Sequence, residues 1–136
     1  MAPNDADFDH MHHALGRPDG PHVEPYRNYF AVDPKSRTAR RFMRLGLWTR
    51  GRAMPGGLAC FHVTPEGQRL TMAWLAARQR KAGLRPWIVY GPEVSTRTII
   101  AKSAPAAVYH VFLDLNDAWN IGFRDFLRLG VRARAA

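Results

Sequence analysis

Cysteine is almost absent from this chain: Cys60 is the single one. That excludes an intrachain disulfide and any zinc site built on four thiolates. Long apolar runs are missing too. No stretch approaches the about 18 consecutive apolar residues that a membrane-spanning helix needs, so no membrane partner is expected. Short catalytic signatures are also lacking, with no P-loop, GxGxxG, HExxH or GxSxG pattern. No enzymatic activity and no cofactor are therefore expected. The segment 1–9 is acidic and polar, the reverse of a secretory signal with its basic start and apolar middle. A soluble, cytoplasmic protein is the expectation.

Acid is scarce where base is dense. Between positions 34 and 85, twelve Lys or Arg stand against one acid, Glu66, a net +11 that exceeds the +9 of the whole 136-residue chain. Such concentration favours a polyanionic partner, DNA or RNA foremost. Seventeen of the twenty basic residues are Arg, and the guanidinium fork suits phosphate and guanine. The codon usage of a GC-rich genome would account for Arg over Lys, but not for the clustering.

Residues 1–9 are expected to be disordered, with Asp9 capping a short helix over 10–15 that Gly16 closes. A Pro-rich stretch follows, and Tyr26, Tyr29 and Phe30 read as an aromatic cluster in a short helix or turn. Ser36 is a plausible N-cap for a helix that Gly46 ends. Within it, Arg37, Arg40, Arg41 and Arg44 occupy i, i+3, i+4 and i+7 and share one face, with Ala39, Phe42, Met43 and Leu47 opposite. Strands are expected over 47–50 and 58–63 around the Gly-rich loop 51–57. Thr64-Pro65-Glu66 then opens a helix to about residue 82 whose far end carries Arg78, Arg80 and Lys81.

A second unit, 86–136, reads as a hairpin (87–90 and 96–102) and a Ser103-capped helix with the stripe Val108, Val111, Phe112, Leu115 and Trp119. A short helix over 123–129 and a basic strand or tail over 131–135 complete it. The expected class is α+β: a winged-helix-like unit over 10–83 followed by a ββα unit with a basic C-terminal tail.

Helix, strand, glycine-rich loop, strand and helix form the core of a winged helix-turn-helix. There the helix before the hairpin enters the major groove and the wing touches the backbone. The candidate nucleic-acid-binding set is Arg37, Arg40, Arg41 and Arg44 from the helix, Arg50 and Arg52 from the wing, and Arg78 and Lys81 beyond it. Five or six phosphate contacts give a salt slope of about −4.5 to −5. The helix offers no Asn or Gln for reading base edges, so weakly specific or shape-directed binding is expected.

GLWTRGRAMPGGLACFHVTPEGQRL resembles the C-terminal half of MarR-like winged-helix proteins. HHALGR, YRNYF, GLW and GGLACFHVTPEG, spanning roughly 11–70, are similar to small uncharacterised proteins of tailed bacteriophages and prophages. That resemblance implies phage or prophage origin and brings no activity with it. The region before Asp33 is too Pro-rich for the two regular helices of a full winged helix. Three functions fit: a nucleic-acid-binding protein in regulation or host takeover; a phage inhibitor that docks on a host protein or nucleoprotein complex, of the anti-defence or anti-CRISPR type; or a virion component. Exposed apolar residues on the 104–119 helix beyond its stripe, with Tyr109 and Leu113 as candidates, would favour the second and third.

Other chemistry-bearing residues are set against simpler roles. His10, His12 and His13 invite a metal, but no nearby Cys or carboxylate pair completes a tetrahedral set. Cys60 and His62 alternate on one strand and share a face, with the thiol read as a small buried apolar group before a nucleophile. Trp48, Trp74, Trp87 and Trp119 read as core, although Trp87 beside Arg85 also suits stacking on single strands. Asp114 and Asp117 lie three apart on a helix without a supporting neighbour.

Overall fold

The computed structural model describes residues 1–136 and is α+β, with five α-helices and two three-stranded antiparallel sheets. The chain divides into two compact units, Met1–Ala77 and Arg78–Ala136. The division falls inside a helix.

The first unit contains α1 (Asp5–Ala14), β1 (Phe30–Val32), α2 (Arg37–Leu45), β2 (Trp48–Ala53), β3 (Ala59–Val63) and the first part of α3 (Pro65–Lys81). The sheet order is β1-β3-β2. Only α2 lies between β1 and β2, so no two-helix element forms there; helix, hairpin and following helix are present. The Ser36 hydroxyl accepts from the Ala39 amide at 3.1 Å, and Gly46 ends α2 in the left-handed region at φ +74°. The α3 start is built as its sequence dictates, with the Gly67 amide donating to Thr64 Oγ1 at 3.0 Å.

Phe42 organises this core. Its ring stacks on Trp48 with centroids 3.9 Å apart and meets Phe61 and Phe30 edge-on. Ala39, Phe42 and Leu45 are the buried residues of α2. Met43, expected on the apolar side, is 59% exposed. It lies about 100° around the helix from Phe42, and Leu45 occupies the inward place instead.

Residues 1–9 are not disordered. Asn4 forms a capping box, its Oδ1 accepting from the Asp7 amide at 2.9 Å while its own amide donates to Asp7 Oδ2 at 2.8 Å. Helix α1 therefore starts at Asp5, four residues before the expected Asp9 cap. Phe8 stacks on Trp74 at 5.4 Å, and the Trp74 indole donates to Asp5 Oδ1 at 3.0 Å. Polar composition concealed a helix whose apolar face holds only Phe8, Met11, Ala14 and the adjoining Leu15.

The expected aromatic cluster is also redrawn. Residues 26–29 form no helix and lead from a bend at Tyr26 into β1, and of the three rings only Phe30 packs on the core, Tyr26 being 79% exposed. The two tyrosines bracket Arg27 instead, its guanidinium carbon 5.8 and 5.3 Å from their ring centroids.

The second unit contains β4 (Arg85–Gly91), β5 (Val94–Ala101), α4 (Ala104–Trp119), α5 (Phe123–Arg128) and β6 (Arg132–Ala135), with sheet order β5-β4-β6. Residues 132–135 are thus a strand rather than a tail. They pair antiparallel with β4 from Trp87↔Ala135 to Tyr90↔Arg132, so the unit is ββααβ. Alternation explains this: Val131 is buried and Ala133 half-buried, while Arg132 and Arg134 face outward. Val108, Val111 and Phe112 of the expected stripe are buried with Val89, Ile99 and Phe126, and Leu115 and Trp119 pack partly buried against them. No helix of either unit is long and apolar enough to cross a membrane.

Candidate nucleic-acid interface

The four arginines of α2 divide into two kinds. Arg41 is the inner one. Its Nε and Nη2 donate to the two oxygens of Asp7 at 2.8 and 2.5 Å, a bidentate pair joining α2 to α1. The Asp7 side chain is 5% exposed and that of Arg41 31%. The hydrogen bond from Arg41 holds the Asp7 carboxyl below its ordinary range, against the opposing effect of burial. The same bond raises Arg41 further above its usual value. Arg41 therefore contributes to the fold, and its charge is already neutralised within the unit.

Arg37, Arg40 and Arg44 are exposed. Arg40 turns back along the helix start and donates to the Lys35 carbonyl at 2.9 Å. No carboxylate lies within ion-pair distance of these three or of Arg50. Elsewhere acids stand beside arginines: Arg17 with Asp9 at 3.8 Å, Arg69 with Glu66 at 2.6 Å, Arg97 with Asp114 at 3.2 Å, and Arg128 with Asp125 at 3.4 Å.

The wing arginines part company. Arg50 pairs in register with Phe61, whose side chain faces the core, so Arg50 emerges on the side of the sheet that carries α2. The register shifts between Arg50 and Ala53. Arg52 lines a cavity with Cys60 and His62, which alternate with Phe61 and so mark the opposite face. The bulge re-aims one arginine. Arg78 and Lys81 are exposed in the last turn of α3, within the second unit. The structure thus brings Arg37, Arg40, Arg44 and Arg50 to one side of the first unit, places Arg41 beneath them and Arg52 on the opposite face of the sheet, while Arg78 and Lys81 belong to the second unit.

Asp7 is the residue the sequence reasoning missed. The N-x-x-D pattern at Asn4–Asp7 was the available signal, since it is a capping box, and it placed an ordered carboxylate where disorder was expected.

The histidines, tryptophans and acids singled out by the sequence make local contacts. His10 meets Phe30 and Phe42 edge-on, His12 Nε2 lies 2.8 Å from the Pro18 carbonyl, and His13 packs edge-on to Phe30. No group of three His, Cys, Asp or Glu is arranged to hold a metal. Asp114 is engaged by Arg97 and lies 3.7 Å from His110. Trp48 is buried; Trp87 is half-buried, donates to the Ala101 carbonyl at 3.1 Å and has Arg85 over its ring at 4.7 Å. Tyr109 and Leu113 on α4 are 46% and 52% exposed.

The motifs HHALGR and YRNYF also resolve into scaffold. In HHALGR, Gly16 adopts φ +85° and a β-carbon there would fall 2.3 Å from the Tyr26 ring. In YRNYF, Arg27 donates to the His13 carbonyl at 2.7 Å, and the Asn28 amide bonds both the carbonyl and the amide of Val63, at 2.8 and 2.7 Å. No protein-family model matches the chain, and comparisons with curated proteins and with solved structures find no match.

Proposed function

We propose that the first unit binds the phosphate backbone of DNA or RNA through Arg37, Arg40, Arg44 and Arg50, as a non-enzymatic phage or prophage protein working in the host cytoplasm. One observation carries the reading: Arg37, Arg40, Arg44 and Arg50 are exposed on one side of one unit, and none of them has a carboxylate within ion-pair distance. Unneutralised guanidinium groups on a short, rigid helix and its adjacent strand are suited to successive phosphates, with affinity drawn from counterion release. No amide side chain accompanies them on α2, so binding is weakly specific or directed by shape. The test is fluorescence anisotropy with a labelled random duplex and a labelled single strand over a salt series. Micromolar or tighter binding with a steep salt slope supports the reading; absence of binding at low salt removes it.

A second reading rests on the second unit. Tyr109 and Leu113 stand exposed on α4, with Leu127 of α5 46% exposed. These apolar side chains suit a protein partner, as an inhibitor of a host complex or a virion component would need. Retention of one defined host complex by the intact chain, lost on Tyr109→Ser with Leu113→Ser, would favour it.

A further inference from the structure

The outer face of the first unit's sheet holds a cavity of about 530 Å³ lined by Tyr29, Arg52, Met54, Cys60 and His62, among others. The thiol is not in the apolar core: Cys60 is half-buried and sits on the face away from Phe61. His62 Nδ1 lies 2.7 Å from the Asn28 carbonyl oxygen. A carbonyl only accepts, so Nδ1 carries the hydrogen and the neutral ring presents a bare Nε2. Cys60 Sγ lies 3.8 Å from that Nε2, within reach of an S–H···N bond.

Gly51 keeps this nitrogen clear. Its φ is not in the left-handed region, so the backbone does not demand glycine. A β-carbon there would lie 2.7 Å from His62 Nε2. Nucleophile, base, an orienting acceptor behind the base, and open space in front are the parts of an activated thiol. Arg52 adds a cation on the same wall.

We propose that this cavity is a thiol-modification site, in which Cys60 exchanges with a small carboxylate-bearing disulfide that Arg52 recruits. His62 Nε2 takes the thiol proton, and the Cys60 sulfur attacks one sulfur of the disulfide. A bond from Cys60 to that sulfur forms as the original S–S bond breaks. The second sulfur leaves as a thiolate and receives the proton from His62. Cys60 is oxidised to a mixed disulfide and the leaving half of the reagent is reduced to a thiol, so no further oxidant is needed. The proposal stands independently of nucleic-acid binding.

The test uses two probes on the intact chain, dianionic dithiobis-nitrobenzoate and neutral dithiodipyridine. Cys60 is the only cysteine, so each reports this site alone. His62→Asn keeps a donor near the Nδ1 position for the Asn28 carbonyl and removes Nε2. It is expected to slow both probes about tenfold or more at neutral pH, with an unchanged circular dichroism spectrum. Arg52→Ala, at an exposed position that does not threaten the fold, is expected to slow the anionic probe about fivefold or more and leave the neutral one alone. Wild-type rates for both probes in a folded His62→Asn protein overturn the role of the base. Equal effects of Arg52→Ala on the two probes, or none, overturn anion recruitment.

Discussion

Separating Arg41 from its neighbours on α2 is the sharpest test of the proposed interface, because four arginines at helical spacing divide by environment rather than by type. Each phosphate neutralised on a duplex contributes about 0.9 to the slope of log affinity against log salt. Four free cations give about −3.6, shallower than the sequence pattern alone implied. Raising salt from about 50 to about 200 mM then weakens binding about 150-fold. Replacing Arg40 and Arg44 by Ala leaves two contacts, a slope of about −1.8 and only about a twelvefold loss over the same range. Arg41→Ala behaves differently. It leaves the slope near its wild-type value and lowers the thermal midpoint, since it strands the buried Asp7 carboxylate. Anisotropy over the salt series gives the slopes, and a thermal melt of each variant gives the stabilities. The reasoning is refuted if Arg41→Ala flattens the slope as much as Arg44→Ala while the melt stays unchanged, or if the double variant binds as the wild type does.

Three further outcomes follow from the packing. The Asp7 carboxyl is held low in the folded state by Arg41, so its contribution is present above the ordinary carboxylate range near pH 4 and lost as pH falls through its folded value. Asp7→Asn should cost about 1–2 kcal/mol at neutral pH, the lower end because Arg41 is partly solvated, and the gap to wild type should narrow progressively as pH falls below about 4, as thermal melts over an acid pH series would show. Phe42→Ala removes a ring that is 1% exposed from the centre of the aromatic core and should destabilise the first unit by about 3–5 kcal/mol in a urea titration; under about 1 kcal/mol would contradict that placement. Asn28→Ala deprives the Val63 amide of its side-chain acceptor and the carbonyl of its closest side-chain donor, and should cost about 1–3 kcal/mol, accompanied by faster hydrogen exchange at Val63.

Local chemistry was the legible part of this chain. Ser36, Thr64 and Ser103 cap helices because a hydroxyl before a helical run has an unpaired amide to accept from. The α4 stripe buried as its period required. What escaped was whatever depended on partners distant in sequence. Asp7 looked like solvated acid until Arg41, 34 residues on, gave it a partner. The final residues read as either a basic strand or a tail because half of their alternation is arginine, and pairing with β4 decides for the strand. The separation of Arg50 from Arg52 depends on a bulge, which no periodicity announces. Of the candidate interface, the cluster was legible; which arginine is structural and which face each one takes were not.

The pairing of Arg41 with Asp7 has a further consequence. A carboxylate gripping a guanidinium through two oxygens is an internal mimic of phosphate, and it competes with any external anion for that arginine. While α1 is docked, the fifth cation is withheld. If α1 lifts away, α2 gains a free charge at the moment it loses its brace. On the proposed phosphate contact, affinity for a polyanion and integrity of the first unit would be set against each other through one side chain.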